Sequence, residues 1–268
     1  MSTNFRSPRK VARRFKYLPQ IAGNVKNWPQ FMYNYAWGVT PLDSYVFRNG
    51  AKLKLGRAID HVPIIEIFFH KDYGDMPDNS VIVDLGANIG TFSIYAASTA
   101  RNVKIYAYEA LEAFYKLMVE NVRANNCEQS IECFNYAVAG DTNTRTLFVE
   151  STNFFFPTLV DSEAKGMQKS IEVRCITLAG IFESNKIETI DMLKIDCEGA
   201  EYEILYNTPR AYFARINEIR MEYHNLEAEG RSNVEGLKSF LSEQGFRITF
   251  TKANTPTNGT LWASRLSS

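Results

Sequence analysis

Five short stretches end in side chains able to take part in chemistry: Asp84, Glu109, Asn135 to Val138, Asp196 with Glu198, and Glu222 with His224. Each ends an apolar run that reads as a strand. In an open parallel sheet, ligands bind outside the carboxyl ends of the strands. Five polar endings on one rim are more than sheet packing requires. Singly, each also has a plain structural reading. The acids from Asp196 to Glu201 suit a helix start, and His224 suits a satisfied structural histidine. Asp196, Glu198 and Glu222 also form an oxygen set suited to a divalent cation, but no metal is assigned.

The first stretch, Val81 to Phe92, organises the rest. Val81, Ile82, Val83 and Leu85 make a strand buried on both faces. Gly86 and Gly90 bracket a turn, and Thr91 to Ala97 opens a helix. Such a turn aims backbone N–H groups and a positive dipole end at an anionic or polar ligand. Dinucleotide sites use G-x-G-x-x-G, whose middle glycine lets the backbone approach a pyrophosphate. Here that position is Asn88, in the pattern G-A-N-I-G. A ligand with a nucleoside and an amino-acid end but no phosphates fits better, which points to S-adenosylmethionine.

Behind this stretch the chain alternates strands and helices from Ser80, the pattern of a parallel sheet with helices on both faces. Strands are expected at Val81–Leu85, Val103–Tyr108, Ile131–Val138, Asp191–Ile195 and Glu218–Tyr223. Phe246–Phe250 then turns near Asn258-Gly259 into Leu261–Ser264, an antiparallel strand at the sheet edge. Arg145–Glu150 and Ile171–Thr177 are strand-like pieces around an irregular segment, 151–170. Ahead of the core, residues 1–79 read as an N-terminal cap on the acceptor side. It contains a hairpin at Arg48-Asn49-Gly50-Ala51, a helical piece from Ile64 to His70, and many aromatics between Tyr17 and Phe47 whose simplest role is packing.

Composition excludes little but orders the alternatives. At 45% hydrophobic and 22% charged the chain is an ordinary globular one, and its 30 basic and 30 acidic residues give no bulk attraction to nucleic acid. Cys127, Cys133, Cys175 and Cys197 form no C-x-x-C pair, as expected in a reducing compartment. No apolar run suggests a signal peptide or membrane span, so a cytoplasmic protein is expected. Residues 6–16 carry six positive charges and no acid, with Val11, Phe15 and Leu18 at helical spacing on the other face. That segment reads either as a solvated helix or arm, or as a peripheral contact with an anionic membrane.

These residues together resemble the FkbM-type methyltransferases, class I enzymes dependent on S-adenosylmethionine. The resemblance rests on Val83-Asp84-Leu85-Gly86-Ala87-Asn88-Ile89-Gly90, Glu109, Leu193 to Glu201, and Met221-Glu222-Tyr223-His224, within residues 60 to 250. The chain departs from the family in having Ala110 where proline is usual, and Ala179 where the family favours aspartate. The resemblance implies a Rossmann-like seven-stranded sheet, mostly parallel with an antiparallel last strand. It implies cofactor contacts from Asp84, Gly86, Ala87, Asn88, Gly90, Thr91, Glu109, Ala110, Asn135, Tyr136, Ala137 and Asp196. Glu109 would accept from the ribose hydroxyls and residues 135–138 would border the adenine. Asp196, Glu222 and His224 would lie at the chemistry, with His224 taking the proton and the rate rising with pH through roughly 6–7. The acceptor it implies is a sugar hydroxyl of a glycan or glycosylated metabolite. RNA methylation is one rival; a nucleotide-sugar oxidoreductase or epimerase, which would want G-x-G-x-x-G and a Tyr-x-x-x-Lys pair, is another.

Overall fold

A computed structural model describes residues 8–41, 43–149, 169–227 and 230–266. Most of the stretch read as irregular, 151–168, therefore lies outside the described residues. Seven strands form the main sheet: β1 (Val81–Leu85), β2 (Lys104–Tyr108), β3 (Ile131–Phe134), β4 (Ile190–Ile195), β5 (Ile216–His224), β6 (Phe246–Ala253) and β7 (Asn258–Arg265). Their order is β6-β7-β5-β4-β1-β2-β3. β1 to β5 are parallel, and β7 runs antiparallel to both β5 and β6, the arrangement expected. The chain winds outward from β1 through β2 to β3 and then returns to place β4 on the other side of β1. That reversal opens a crevice at the carboxyl ends of β1 and β4.

The helices follow from periodicity. In α1 (Thr91–Thr99), six successive residues from Thr91 to Ala96 are buried. In α2 (Glu112–Ala124), Phe114, Met118 and Val122 recur at intervals of four and form its inner face. α3 (Leu178–Ser184) starts at Thr177, whose hydroxyl accepts from Gly180 N, so the family departure at Ala179 leaves the cap intact. α4 (Glu201–Tyr206) follows β4, and α5 (Val234–Glu243) buries Leu237 and Leu241.

Two expectations are corrected and one is refined. The strand expected over Ile131–Val138 leaves the sheet after Phe134; Ala137–Val138 pair instead with Cys175–Ile176. Asn135 makes the break by turning its amide onto the Glu109 and Ala110 carbonyls, 2.9 Å each. The last hairpin turns at 254–257, where the backbone of Asn254 and Thr255 donates to Asn258 O. Asn258-Gly259 already belongs to β7, and a Cβ on Gly259 would sit 2.4 Å from the Tyr223 hydroxyl. The piece from Ile64 to His70 is one α-helical turn, His61–Ile64, continued by a π-helical turn, Ile65–Phe69.

Ahead of β1, three helices (Pro8–Phe15, Leu18–Asn24, Trp28–Trp37) and the Tyr45–Val46/Lys52–Leu53 hairpin share one continuous core with the sheet, from Ile21 and Phe31 through Ile82 and Phe92 to Met192. The aromatics there pack on one another: Phe31 lies 4.5 Å from Tyr45 and Phe47 4.1 Å from Phe68, ring centre to centre. The described residues ahead of β1 thus pack on the sheet as part of one core. No described helix is long and apolar enough to cross a membrane.

Candidate active site

The crevice is a cavity of about 620 Å³. Its floor is where β1 and β4 end. Gly86 has φ 74°, and a Cβ there would lie 1.8 Å from the Asp196 carbonyl oxygen. Only glycine lets the two strand ends approach this closely. Below the turn, Lys194 is buried with its Nζ 3.1 Å from Asp84 Oδ1, 2.9 Å from Gly86 O and 3.7 Å from Asp196 Oδ2. Burial works against that ammonium charge, but Asp84 and Asp196 outweigh it and hold the pKa above its ordinary range.

Asp84 is fully buried, accepts from Ser93 Oγ at 2.7 Å, and does not line the cavity. Its expected cofactor contact is replaced by a role under the floor. Gly90 and Asn135 do not line the cavity either. Gly90 supplies a left-handed turn before α1, and Asn135 braces the Glu109 segment. Gly86, Ala87, Asn88, Thr91, Glu109, Ala110, Tyr136, Ala137, Asp196, Glu222 and His224 do reach the wall.

At one end of the cavity Glu109 is held by two backbone donors: Asn88 N to Oε2 and Leu111 N to Oε1, both 2.8 Å. Burial raises its pKa to about 7, against the pull of those two N–H groups. Each oxygen keeps acceptor capacity for a further donor. Nearby, Asn88 Oδ1 and Thr91 Oγ1 are buried polar atoms with no hydrogen-bond partner among the described residues. Orphaned buried groups of this kind cost free energy, so a wall that carries two of them is built for a polar ligand.

The other end gathers carboxylates. Glu66, Asp196, Glu198 and Glu222 line it with His224. Burial raises Glu66, Glu198 and Glu222 each to about 8, and the neighbouring Asp196 charge adds to the rise in all three. Glu198 stands at φ 49°, a left-handed conformation uncommon outside glycine. Its loop is clamped by the buried Glu201, which accepts from Cys197 N and Gly199 N at 3.0 Å each. Tyr73 donates to Asp196 Oδ2 at 3.4 Å, and Asn258 Nδ2 donates to Glu222 Oε1 at 3.0 Å. Among the described residues no three His, Cys, Asp or Glu side chains converge on a metal position.

His224 has a carboxylate at each ring nitrogen: Glu201 Oε1 is 3.1 Å from Nδ1 and Glu198 Oε2 3.4 Å from Nε2. Burial disfavours its charge, but the hydrogen bond to Glu201 and the charges of Glu201, Glu198 and Asp196 prevail and raise its pKa to about 10. The base role expected of His224 does not suit a ring that has a carboxylate at each nitrogen. With Lys194 beside Asp196, His224 offsets the acids of this end.

The family model described as the methyltransferase FkbM domain matches residues 84–248. The chain belongs to the FkbM methyltransferase family. It is therefore an S-adenosylmethionine-dependent methyltransferase. Among curated relatives, Methyltransferase sdnD of Sordaria araneosa is 26% identical over 210 residues, covering 68% of this chain and 79% of the relative. Methyltransferase 1 of Beauveria bassiana is 26% identical over 206 residues, with the same coverages of 68% and 79%. The crystal structure of a methyltransferase FkbM from Methylobacillus flagellatus KT has a TM-score of 0.49 and 13% identity, covering 75% of this chain and 48% of that one.

The FkbM site contains residues that sequence reasoning passed over. Lys194 and Glu201 were visible as members of the Leu193–Glu201 motif, with no site role assigned to either. Glu66 and Arg57 reach the wall from ahead of β1, with Ile59, Val62 and Pro63 beside them. None of the aromatics from Tyr17 to Phe47 lines the cavity. The N-terminal segment meets the site through residues 57–67 instead.

Proposed function

We propose that this enzyme methylates a sugar hydroxyl, with Glu222 as the proton acceptor. The observation that carries the reading is the division of one cavity into two ends. Glu109, Asn88 and Thr91 form a polar, partly orphaned end suited to the cofactor, and the Glu66–Glu198–Glu222 cluster forms a protonatable end suited to a polyol. Carboxyl groups with pKa values near neutrality can both accept from and donate to the many hydroxyls of a sugar. The sugar itself comes from the family resemblance.

When bound, S-adenosylmethionine supplies a methyl group on a sulfonium for in-line displacement. Glu109 would accept from its ribose hydroxyls, Gly86 to Thr91 would face its methionine end, and Ala110, Tyr136 and Ala137 would border its adenine. Asp196, fixed by Tyr73 and Lys194, would orient the acceptor, and Glu222 would take the hydroxyl proton as the new bond forms. His224 would hold Glu198 in place from Nε2.

Incubating the enzyme with labelled S-adenosylmethionine and panels of free sugars, nucleotide sugars and glycosides should label at least one of them; label entering only RNA or amines would refute the reading. S-adenosylhomocysteine should bind in titration calorimetry and NAD should not. Glu109→Gln keeps one acceptor oxygen for the two backbone donors but loses the other, so it should weaken S-adenosylhomocysteine by roughly 1.5–3 kcal/mol. The wild-type affinity should fall as the pH drops through about 7, where the Glu109 carboxylate gains its proton. A pH-independent affinity, unchanged in Glu109→Gln, would remove Glu109 from the ribose.

A further inference from the structure

The charge of this chain is balanced only in total. Its first 59 residues hold eleven Lys and Arg against a single acid, Asp43, so the remaining residues hold 19 basic against 29 acidic ones. The helix Pro8–Phe15 alone reads PRKVARRF. Exposed large rings gather in the same region. Phe15, Trp28, Tyr33 and Trp37 are four of the seven exposed large hydrophobics among the described residues. Arg14 Nη1 donates to Ala36 O at 2.8 Å, which ties the end of the basic helix to the end of Trp28–Trp37.

We propose that this basic, ring-bearing face of the N-terminal helices docks on an anionic lipid surface. The simple amphipathic-helix version of a membrane contact fails, because Val11 and Leu18 pack inward against the core and leave only Phe15 outside. The structure replaces it with a composite face. The helix Trp28–Trp37 carries no charged residue, and its exposed Tyr33 and Trp37, four residues apart, share one uncharged side. Trp and Tyr favour the boundary between headgroups and acyl chains, while Arg13, Lys16 and Lys26, all exposed, would lie among anionic headgroups. A single-stranded nucleic acid site instead interleaves rings and cations along one groove. Here the exposed rings Tyr33 and Trp37 stand on a helix without cations, which favours the bilayer.

The test is sedimentation of the full chain with phosphatidylcholine vesicles, with and without phosphatidylserine, and with single-stranded RNA as the competing ligand. The chain should bind the phosphatidylserine vesicles and release them in high salt. Each basic residue near an anionic surface contributes roughly five-fold, so Arg13→Ala/Lys16→Ala should lower the partition coefficient about twenty-five-fold. Tyr33→Ala/Trp37→Ala, at exposed positions, should keep its melting temperature and also bind several-fold more weakly. Equal partition into neutral and acidic vesicles would overturn the proposal. So would unchanged binding in either double variant, or binding to RNA with none to vesicles.

Discussion

Glu222→Gln should lower turnover by about a hundred- to ten-thousand-fold, the usual effect of removing a general base. Gln keeps the shape of the side chain and the contact with Asn258 but cannot take a proton. S-adenosylhomocysteine affinity should barely move, because Glu222 stands at the carboxylate end of the cavity and Glu109 at the other. The pH profile supplies a second readout. A carboxyl raised to about 8 is protonated, and useless as a base, below that pH. The wild-type rate should therefore climb as the pH rises through about 8, later than the 6–7 expected of a histidine base. Glu66, Glu198 and Glu222 interact closely enough that this limb belongs to the cluster as a whole. Glu222→Gln should flatten it and leave a low, nearly pH-independent rate. A variant with near-normal turnover and an unchanged limb would pass the base role to Glu198 or Asp196.

The same comparison shows what the sequence could reveal. Apolar runs with acids at their ends mark strands and their rims, so β1, β2, β4 and β5, together with Glu109, Asp196 and Glu222, were all legible. The left-handed turn was legible too, because Gly86 and Gly90 flank Asn88 at a strand end. Direction within a buried layer was not. Asp84 ends the same strand as the cofactor turn, yet its carboxylate points beneath the floor to Lys194 and Ser93. Glu66 was hidden for another reason. A π-helical turn has no apolar period to show which residue faces inward, and its site partners follow more than a hundred residues later. His224 was legible but its surroundings were not, since Glu201 and Glu198 stand at its two nitrogens and no spacing rule reports a charge balance.

Lys194→Met should be the most damaging single change to the fold. Lys194 and Asp84 are both buried and 3.1 Å apart, so removing the cation leaves a carboxylate inside the sheet with no compensating charge. Breaking a buried pair from one side typically costs about 3–5 kcal/mol, a large share of the roughly 5–15 kcal/mol that holds a protein folded. The ammonium also donates to the Leu85 and Gly86 carbonyls, so the variant loses the side-chain tie between β4 and the end of β1 and leaves only the backbone ladder there. Denaturant unfolding should show the loss, and any folded fraction should bind S-adenosylhomocysteine more weakly. The decisive measurement is the double variant Asp84→Asn/Lys194→Met. If the penalty comes from an uncompensated charge, neutralising Asp84 should return part of the stability, and the double variant should be more stable than Lys194→Met alone. Strictly additive losses would mean that the two side chains act separately. In that case the floor would be held by the carbonyl contacts of Lys194 rather than by its pairing with Asp84.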